Sequence, residues 1–99
     1  MSLGKMQRYL PDERQGLVYY MCRNYNNMPH EVQEQIKDVC NQVDKYNSEA
    51  LLKFLITDNN KMVSIDYYVS ISTLNRLRAK FFKKVADNGG QLWDKIKSG

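Results

Sequence analysis

The chain alternates apolar stripes at helical spacing with short polar breaks. In the clearest stripe, apolar residues recur at steps of four, three, one and three residues from Val32 to Val43, and the residues between them are charged or carry amides. A period near 3.6 residues is typical of an amphipathic α-helix with one buried face. Strict two-residue alternation, the mark of a half-buried strand, is missing from the sequence. The pattern therefore predicts an all-helical fold, a bundle of four to five helices.

Polar breaks set the predicted helix limits. A first helix begins near Pro11 and closes at Asn26-Asn27, and a second follows Met28-Pro29 and ends at Tyr46-Asn47. A third begins at Ser48, whose hydroxyl is suited to cap a helix start. The expected buried stripe of the third helix is Leu51, Leu52, Leu55 and Ile56. Because the link between the first two helices is short, we expect them to pack as an antiparallel pair.

Beyond the polar break at Thr57–Asn60, the spacing predicts a helix-turn-helix from about Lys61 to Ala86. Its parts are a short helix at Val63–Tyr68, a tight join at Val69–Ile71 and a long helix at Ser72–Ala86. The apolar residues that such a unit needs are Val63, Tyr67, Val69, Leu74 and Leu77. We therefore predict that the long helix protrudes from the rest of the fold, so that it can enter a DNA major groove about 12 Å wide.

Three further positions of this helix-turn-helix are informative. Ser70 or Ser72 is suited to cap the long helix. Ser64 stands where such motifs usually carry a small alanine, and is easily accommodated. Tyr68 stands where they usually carry a glycine. We therefore expect the turn at Tyr68 to have a different geometry.

The net charge of +4 is concentrated in the second half. Residues 1–48 carry six basic and six acidic groups, whereas residues 49–99 carry nine basic and five acidic groups. Five bases and no acid lie between Thr73 and Ala86: Arg76, Arg78, Lys80, Lys83 and Lys84. A polyanion is the natural partner of such a segment, and a solvated helix face is the alternative.

A helical projection separates the long helix into two faces. Leu74, Leu77, Phe81, Phe82 and Val85 cluster on one side, opposite Ser72, Arg76, Ala79, Lys80 and Lys83. Arg78 falls near the apolar side, so we expect it to snorkel or to pair with an acid. The candidates for base edges are Ser72, Asn75 and Arg76, because Asn and Arg grip adenine and guanine bidentately. The candidates for phosphates are Thr73, Lys80, Lys83 and Lys84.

The run from Tyr68 to Ala86 resembles the C-terminal end of small phage-encoded transcription regulators of the RinA/ArpU type. The shared pattern is Ser-x-Ser/Glu-Thr-aromatic-or-Leu-x-Arg-x-Arg/Lys followed by an apolar and basic helix. The resemblance extends over about 40 residues, from Ser48 to Asp87. It implies a helix-turn-helix similar to sigma region 4 and a role in switching phage or prophage late genes.

Catalytic and metal-binding patterns are missing from the sequence. His30 is the single histidine and is expected at the surface, while Cys22 and Cys40 match no zinc or redox spacing and are expected to be buried apolar groups. We therefore expect no enzyme activity and no cofactor. Tyr19, Tyr20, Tyr67 and Tyr68 are expected to pack half-buried rather than to stack on bases. Gly89-Gly90 predicts a helix stop, and Trp93 with Leu92 and Ile96 predicts a short terminal helix.

The expected function is transcriptional control by binding duplex DNA. Residues 1–47 are interpreted as a helical pair suited to self-association, and residues 48–99 as the DNA-binding part of the same domain. RNA polymerase and a second copy of the chain are further candidate partners. No apolar run reaches the roughly 18 residues that span a bilayer, and no signal sequence is evident, so we expect a cytoplasmic protein without a membrane partner. The alternatives are a terminase-like DNA-packaging subunit and a helical interaction or assembly module.

Overall fold

Five α-helices form along residues 12–87, the range that the computed structural model describes, with side chains from 16 to 86. They are α1 (Asp12–Arg23), α2 (His30–Val43), α3 (Ser48–Thr57), α4 (Asn60–Tyr67) and α5 (Ile71–Asp87), with a short 3-10 helix (Tyr25–Asn27) before α2. No strand occurs in this range. The predicted all-helical class is confirmed there. Over the same residues, no helix is both long enough and apolar enough to cross a membrane.

The predicted break at Met28-Pro29 lies between the 3-10 helix and α2. The carbonyl of Pro29 accepts hydrogen bonds from the N–H groups of Val32 and Gln33 at 3.0 and 3.1 Å. The Gln33 side chain donates from Nε2 to the Tyr25 carbonyl at 2.7 Å. Because proline lacks the N–H that a helix start leaves unpaired, it begins α2 without losing a hydrogen bond.

Asp44 ends α2 earlier than the sequence pattern predicts. The helix stops at Val43, and Asp44 is extended, with φ −162°. Its carboxylate accepts hydrogen bonds from the N–H groups of Tyr46 and Asn47 and from the Asn47 side chain, at 3.1–3.2 Å. The Asn47 side chain, followed by these backbone groups, lowers the pKa of Asp44. An Asp side chain that satisfies nearby backbone N–H groups competes with helix continuation, so the end predicted at Tyr46-Asn47 is wrong.

The start and the buried face of α3 also differ from the prediction. The Ser48 hydroxyl donates to the Lys45 carbonyl at 3.1 Å and does not cap α3. The buried residues of α3 are Ala50, Leu51, Phe54 and Leu55, whereas Leu52 and Ile56 are half-buried. α3 packs against every other helix. Leu51 and Leu55 belong to the cluster shared with α1, α2 and α5, whereas Ala50 and Phe54 belong to the cluster shared with α4 and α5, so the buried stripe includes both pairs.

The main core joins both halves of the chain. Its buried members come from α1, α2, α3 and α5: Val18, Met21, Cys22, Val32, Ile36, Val39, Cys40, Leu51, Leu55, Leu77, Phe81, Phe82 and Val85. The expected antiparallel pair of α1 and α2 is not the principal packing, since α2 packs mainly on α3 and α5, and α1 mainly on α3. The first two helices therefore bury their stripes largely against the second half.

A second, smaller core holds α4 between α3 and α5. Ala50, Phe54, Val63 and Leu74 are buried together, and Met62, Tyr67 and Val69 pack against them. α4 begins three residues before the predicted Val63, at Asn60, because the Asn59 side chain caps it by accepting from the Met62 N–H at 3.0 Å. This small core connects the turn before α5 to the rest of the protein.

Candidate nucleic-acid interface

A three-residue turn, Tyr68 to Ser70, joins α4 to α5. Tyr68 has φ 56° and ψ 42°, in the left-handed region where glycine is usual, and its N–H bonds to the Ser64 carbonyl. The Val69 N–H donates to the same carbonyl at 3.3 Å. The sequence-based expectation that Tyr68 requires a different turn geometry is therefore wrong: the tyrosine adopts the left-handed conformation itself, with its side chain 95% exposed.

Hydroxyl groups organise the first turn of α5. The Ser70 Oγ accepts a hydrogen bond from the Thr73 N–H at 3.1 Å and donates to the Thr73 hydroxyl at 2.8 Å. The Ser72 hydroxyl lies 3.4 Å from that of Ser70. Of the two predicted caps, Ser70 is therefore the one that occupies the capping position, and Ser72 remains exposed on the helix surface.

The apolar residues predicted to hold the two helices together do so. Val63, Leu74 and Leu77 are buried, and Tyr67 and Val69 pack half-buried against the small core. Phe81, Phe82 and Val85 continue the buried face of α5 into the main core. The apolar side of α5 predicted from the helical projection is confirmed.

The opposite side of α5 carries most of the candidate DNA contacts. Ser72, Asn75, Arg76, Lys80 and Lys83 are exposed, whereas Thr73 and Lys84 are half-buried at its flank. None of the exposed bases Arg76, Lys80 and Lys83 forms an ion pair with another described side chain. We call the set Ser72, Asn75, Arg76, Lys80 and Lys83 the outer face of α5.

Arg78 is directed away from the outer face. Its Nη1 donates to Asp58 Oδ1 at 2.8 Å, and its guanidinium carbon lies 4.5 Å from the centre of the Phe54 ring and 5.9 Å from that of Tyr19. The other carboxylate oxygen of Asp58 pairs with Arg23 Nη2 at 2.6 Å. The expectation that Arg78 pairs with an acid is confirmed.

Asp58 is the residue of this region that the sequence pattern did not single out. It ends α3 with a positive φ of 54°, and through its two arginines it ties together α1, α3 and α5. The only sequence signal was the expectation that Arg78 would find an acid. Helical spacing identifies neighbours three or four residues away, whereas Asp58 is 20 residues from Arg78.

The residues considered for other chemistry divide between the core and the surface. Cys22 and Cys40 are buried and free, and burial raises the pKa of both thiols, that of Cys40 to about 12. His30 is exposed, as expected. Among the described residues, no three His, Cys, Asp or Glu side chains lie close enough to hold a metal ion together. The raised pKa of both thiols disfavours the reactive thiolate form.

The four tyrosines do not behave alike. Tyr19 and Tyr67 are half-buried, as expected, and the Tyr19 ring lies 4.7 Å from that of Phe82. Tyr20 and Tyr68 are exposed, so the expectation of packing is wrong for these two. The predicted stop at Gly89-Gly90 and the terminal helix around Trp93 lie outside the described residues.

Comparisons of the chain with known protein families, with curated proteins and with solved structures found no match.

Proposed function

We propose that this chain is a DNA-binding transcription regulator in which α4 and α5 form a helix-turn-helix. The observation that carries the proposal is the outer face of α5, where amide, hydroxyl and basic side chains are exposed together. Between Thr73 and Ala86 this helix contains no acid. An α-helix about 10–12 Å in diameter fits a major groove about 12 Å wide, and an acid-free basic face is attracted to phosphates.

The supporting arrangement is local. An eight-residue α4, a three-residue turn and a long α5 share one small core, so the outer face is held by buried contacts rather than by a loop. The resemblance of Tyr68 to Ala86 to phage regulators of the RinA/ArpU type favours the same role, with RNA polymerase as a further partner. The proposed protein is cytoplasmic, acts by binding rather than by catalysis, and comes from a phage or prophage.

Position along α5 suggests different roles for its side chains. Asn75 and Arg76 lie in the second turn, where we assign them to adenine and guanine edges, and Ser72 lies one turn earlier. Lys83 is seven residues beyond Arg76, about 10 Å farther along the axis. We therefore assign Lys80, Lys83, Lys84 and Thr73 to phosphates, which fix the position of the helix without reading sequence.

Two substitutions test the assignment of Arg76 to bases and Lys83 to phosphates, with duplexes selected from a random pool. Arg76→Ala should cost about 1–3 kcal/mol on the selected duplex and flatten the preference at one base pair. Lys83→Ala should weaken binding to selected and scrambled duplexes alike, and should lower the slope of log affinity against log salt by about one unit. Lys37→Ala, which removes an exposed charge from α2, is the matched control and should change neither property.

The outcomes distinguish the alternatives. Equal loss on both duplexes for Arg76→Ala, with a shallower salt slope, would reduce its role to charge attraction. If neither α5 substitution changes binding, the outer face is not the DNA surface and an interaction module becomes the better interpretation. Light scattering on the full chain separates a regulator, expected as a monomer or dimer, from a packaging subunit, expected as a large ring.

A further inference from the structure

Ile71 is an exposed apolar residue at the start of α5, which the sequence pattern placed in the join before that helix. It is the first residue of the helix, and 38% of its surface is exposed. Asn75 follows one turn later, so the two side chains are neighbours along one edge of α5. The residues that surround Ile71 in sequence, Ser70 and Ser72, are exposed and polar. Ile71 is not a member of either buried cluster.

We infer that Ile71 is a specificity-determining residue that packs against the 5-methyl group of a thymine in the major groove. The inference rests on the proposed function. Thymine is the one base that presents a methyl group in this groove, and an apolar side chain is the group that recognises it. Arg76, Lys80 and Lys83 are exposed on the same helix, and between Thr73 and Ala86 this helix contains no acid, which favours a polyanion over an apolar protein partner. Ile71 is the first residue of α5, and the N-terminal residues of a helix in the major groove are the ones that contact base edges.

The helix geometry places this thymine relative to the adenine assigned to Asn75. Four residues of α-helix advance about 6 Å, and successive bases are about 3.4 Å apart. The thymine is therefore expected about two base pairs from the adenine. Burying one methyl group changes affinity by about fourfold, which sets the size of the effect to be measured.

The experiment combines a protein substitution with the removal of single methyl groups from DNA. The best duplex selected from a random pool is remade with each thymine replaced, one at a time, by deoxyuridine, which lacks only the methyl. For the wild-type chain, one replacement should weaken binding about fourfold. Ile71→Ala should lose the same factor on the thymine duplex and should no longer respond to that replacement. Ile71→Val, which removes a single methyl group, should show a smaller response.

A matched control uses another exposed isoleucine, Ile65 on α4, which lies outside the outer face of α5. Ile65→Ala should keep the wild-type response to deoxyuridine. The inference is overturned if no deoxyuridine replacement weakens binding of the wild type. It is also overturned if the losses of affinity caused by Ile71→Ala and by the deoxyuridine replacement are additive. It is also overturned if Ile71→Ala splits an oligomer in light scattering and weakens all duplexes equally, since Ile71 would then belong to an interface between copies. Failure of the wild type to retain any duplex at low salt refutes the proposed function itself.

Discussion

Asp58→Asn removes the charge that holds α5 against α1 and α3. In the wild type, one carboxylate accepts from Arg23 and from Arg78, at 2.6 and 2.8 Å. Asparagine keeps one oxygen acceptor and tolerates the left-handed conformation of this position, so the substitution changes the charge with little effect on the backbone. Asp58→Ala also removes the short polar group that lets Asp and Asn tolerate the left-handed conformation.

The two arginines contribute unequally. The Arg78 side chain is only 15% exposed and its Nε is buried without a partner, so its bond to Asp58 is the one that compensates a poorly hydrated charge. Hydrogen bonds to charged groups contribute about 1.5–3 kcal/mol. The Arg23 side chain is 40% exposed, where ion pairs contribute about 0–1 kcal/mol. We therefore expect Asp58→Asn to cost about 2 kcal/mol, with most of the loss arising at Arg78.

Chemical denaturation of the full chain measures this loss, and a fall in Tm of roughly 4–8 °C per kcal/mol provides a second reading. A double-mutant cycle of Asp58→Asn with Arg78→Met should give a coupling free energy above about 1 kcal/mol, and the cycle with Arg23→Ala should give less. An unchanged denaturation midpoint in Asp58→Asn, or stronger coupling to Arg23 than to Arg78, would refute the reasoning.

Three further predictions concern the core and the turn. Ile36→Asp should unfold the protein by burying an unpaired charge, seen as lost helical circular dichroism; an unchanged melting curve would mean that Ile36 is not in the core. Cys22→Ser combined with Cys40→Ser should lower stability but leave DNA binding within a few-fold, and lost binding in a folded double mutant would contradict the structural role of both thiols. Tyr68→Gly should raise the free energy of unfolding by about 1 kcal/mol, because glycine relieves the left-handed strain at this position. Tyr68→Ala, the control, should give no gain. If Tyr68→Gly is no more stable than the wild type, Tyr68 is not strained.

The local pattern was sufficient for several features that depend on residues close in sequence. The helical class, the break before Pro29 and the two faces of α5 follow from periodic spacing and from backbone chemistry at single residues. The sequence offered Ser70 or Ser72 as the cap of α5, and the structure selects Ser70, whose partner is three residues away. A short separation in sequence was not always enough: the Asp44 carboxylate and the Asn47 N–H are three residues apart, yet the pattern extended α2 to Tyr46-Asn47.

Tertiary packing decided which of several available apolar faces is buried. Leu52 and Ile56 are as apolar as Leu51 and Leu55, yet α3 rotates toward Ala50 and Phe54 because α4 and α5 cover that side. The same holds for α1, whose stripe is buried mainly against α3 rather than against α2. Burial is favourable for any apolar surface, so the pattern alone does not choose between partners of similar hydrophobicity.

The candidate site divides in the same way. The sequence by itself separated the outward bases of α5 from Arg78, because a helical projection depends only on a fixed rotation per residue. The choice of Asp58 as the partner of Arg78 and the exposure of Ile71 depend on where α1, α3 and α4 come to lie around α5. Those positions result from contacts between residues far apart in the chain, and such contacts exist only once the helices have packed.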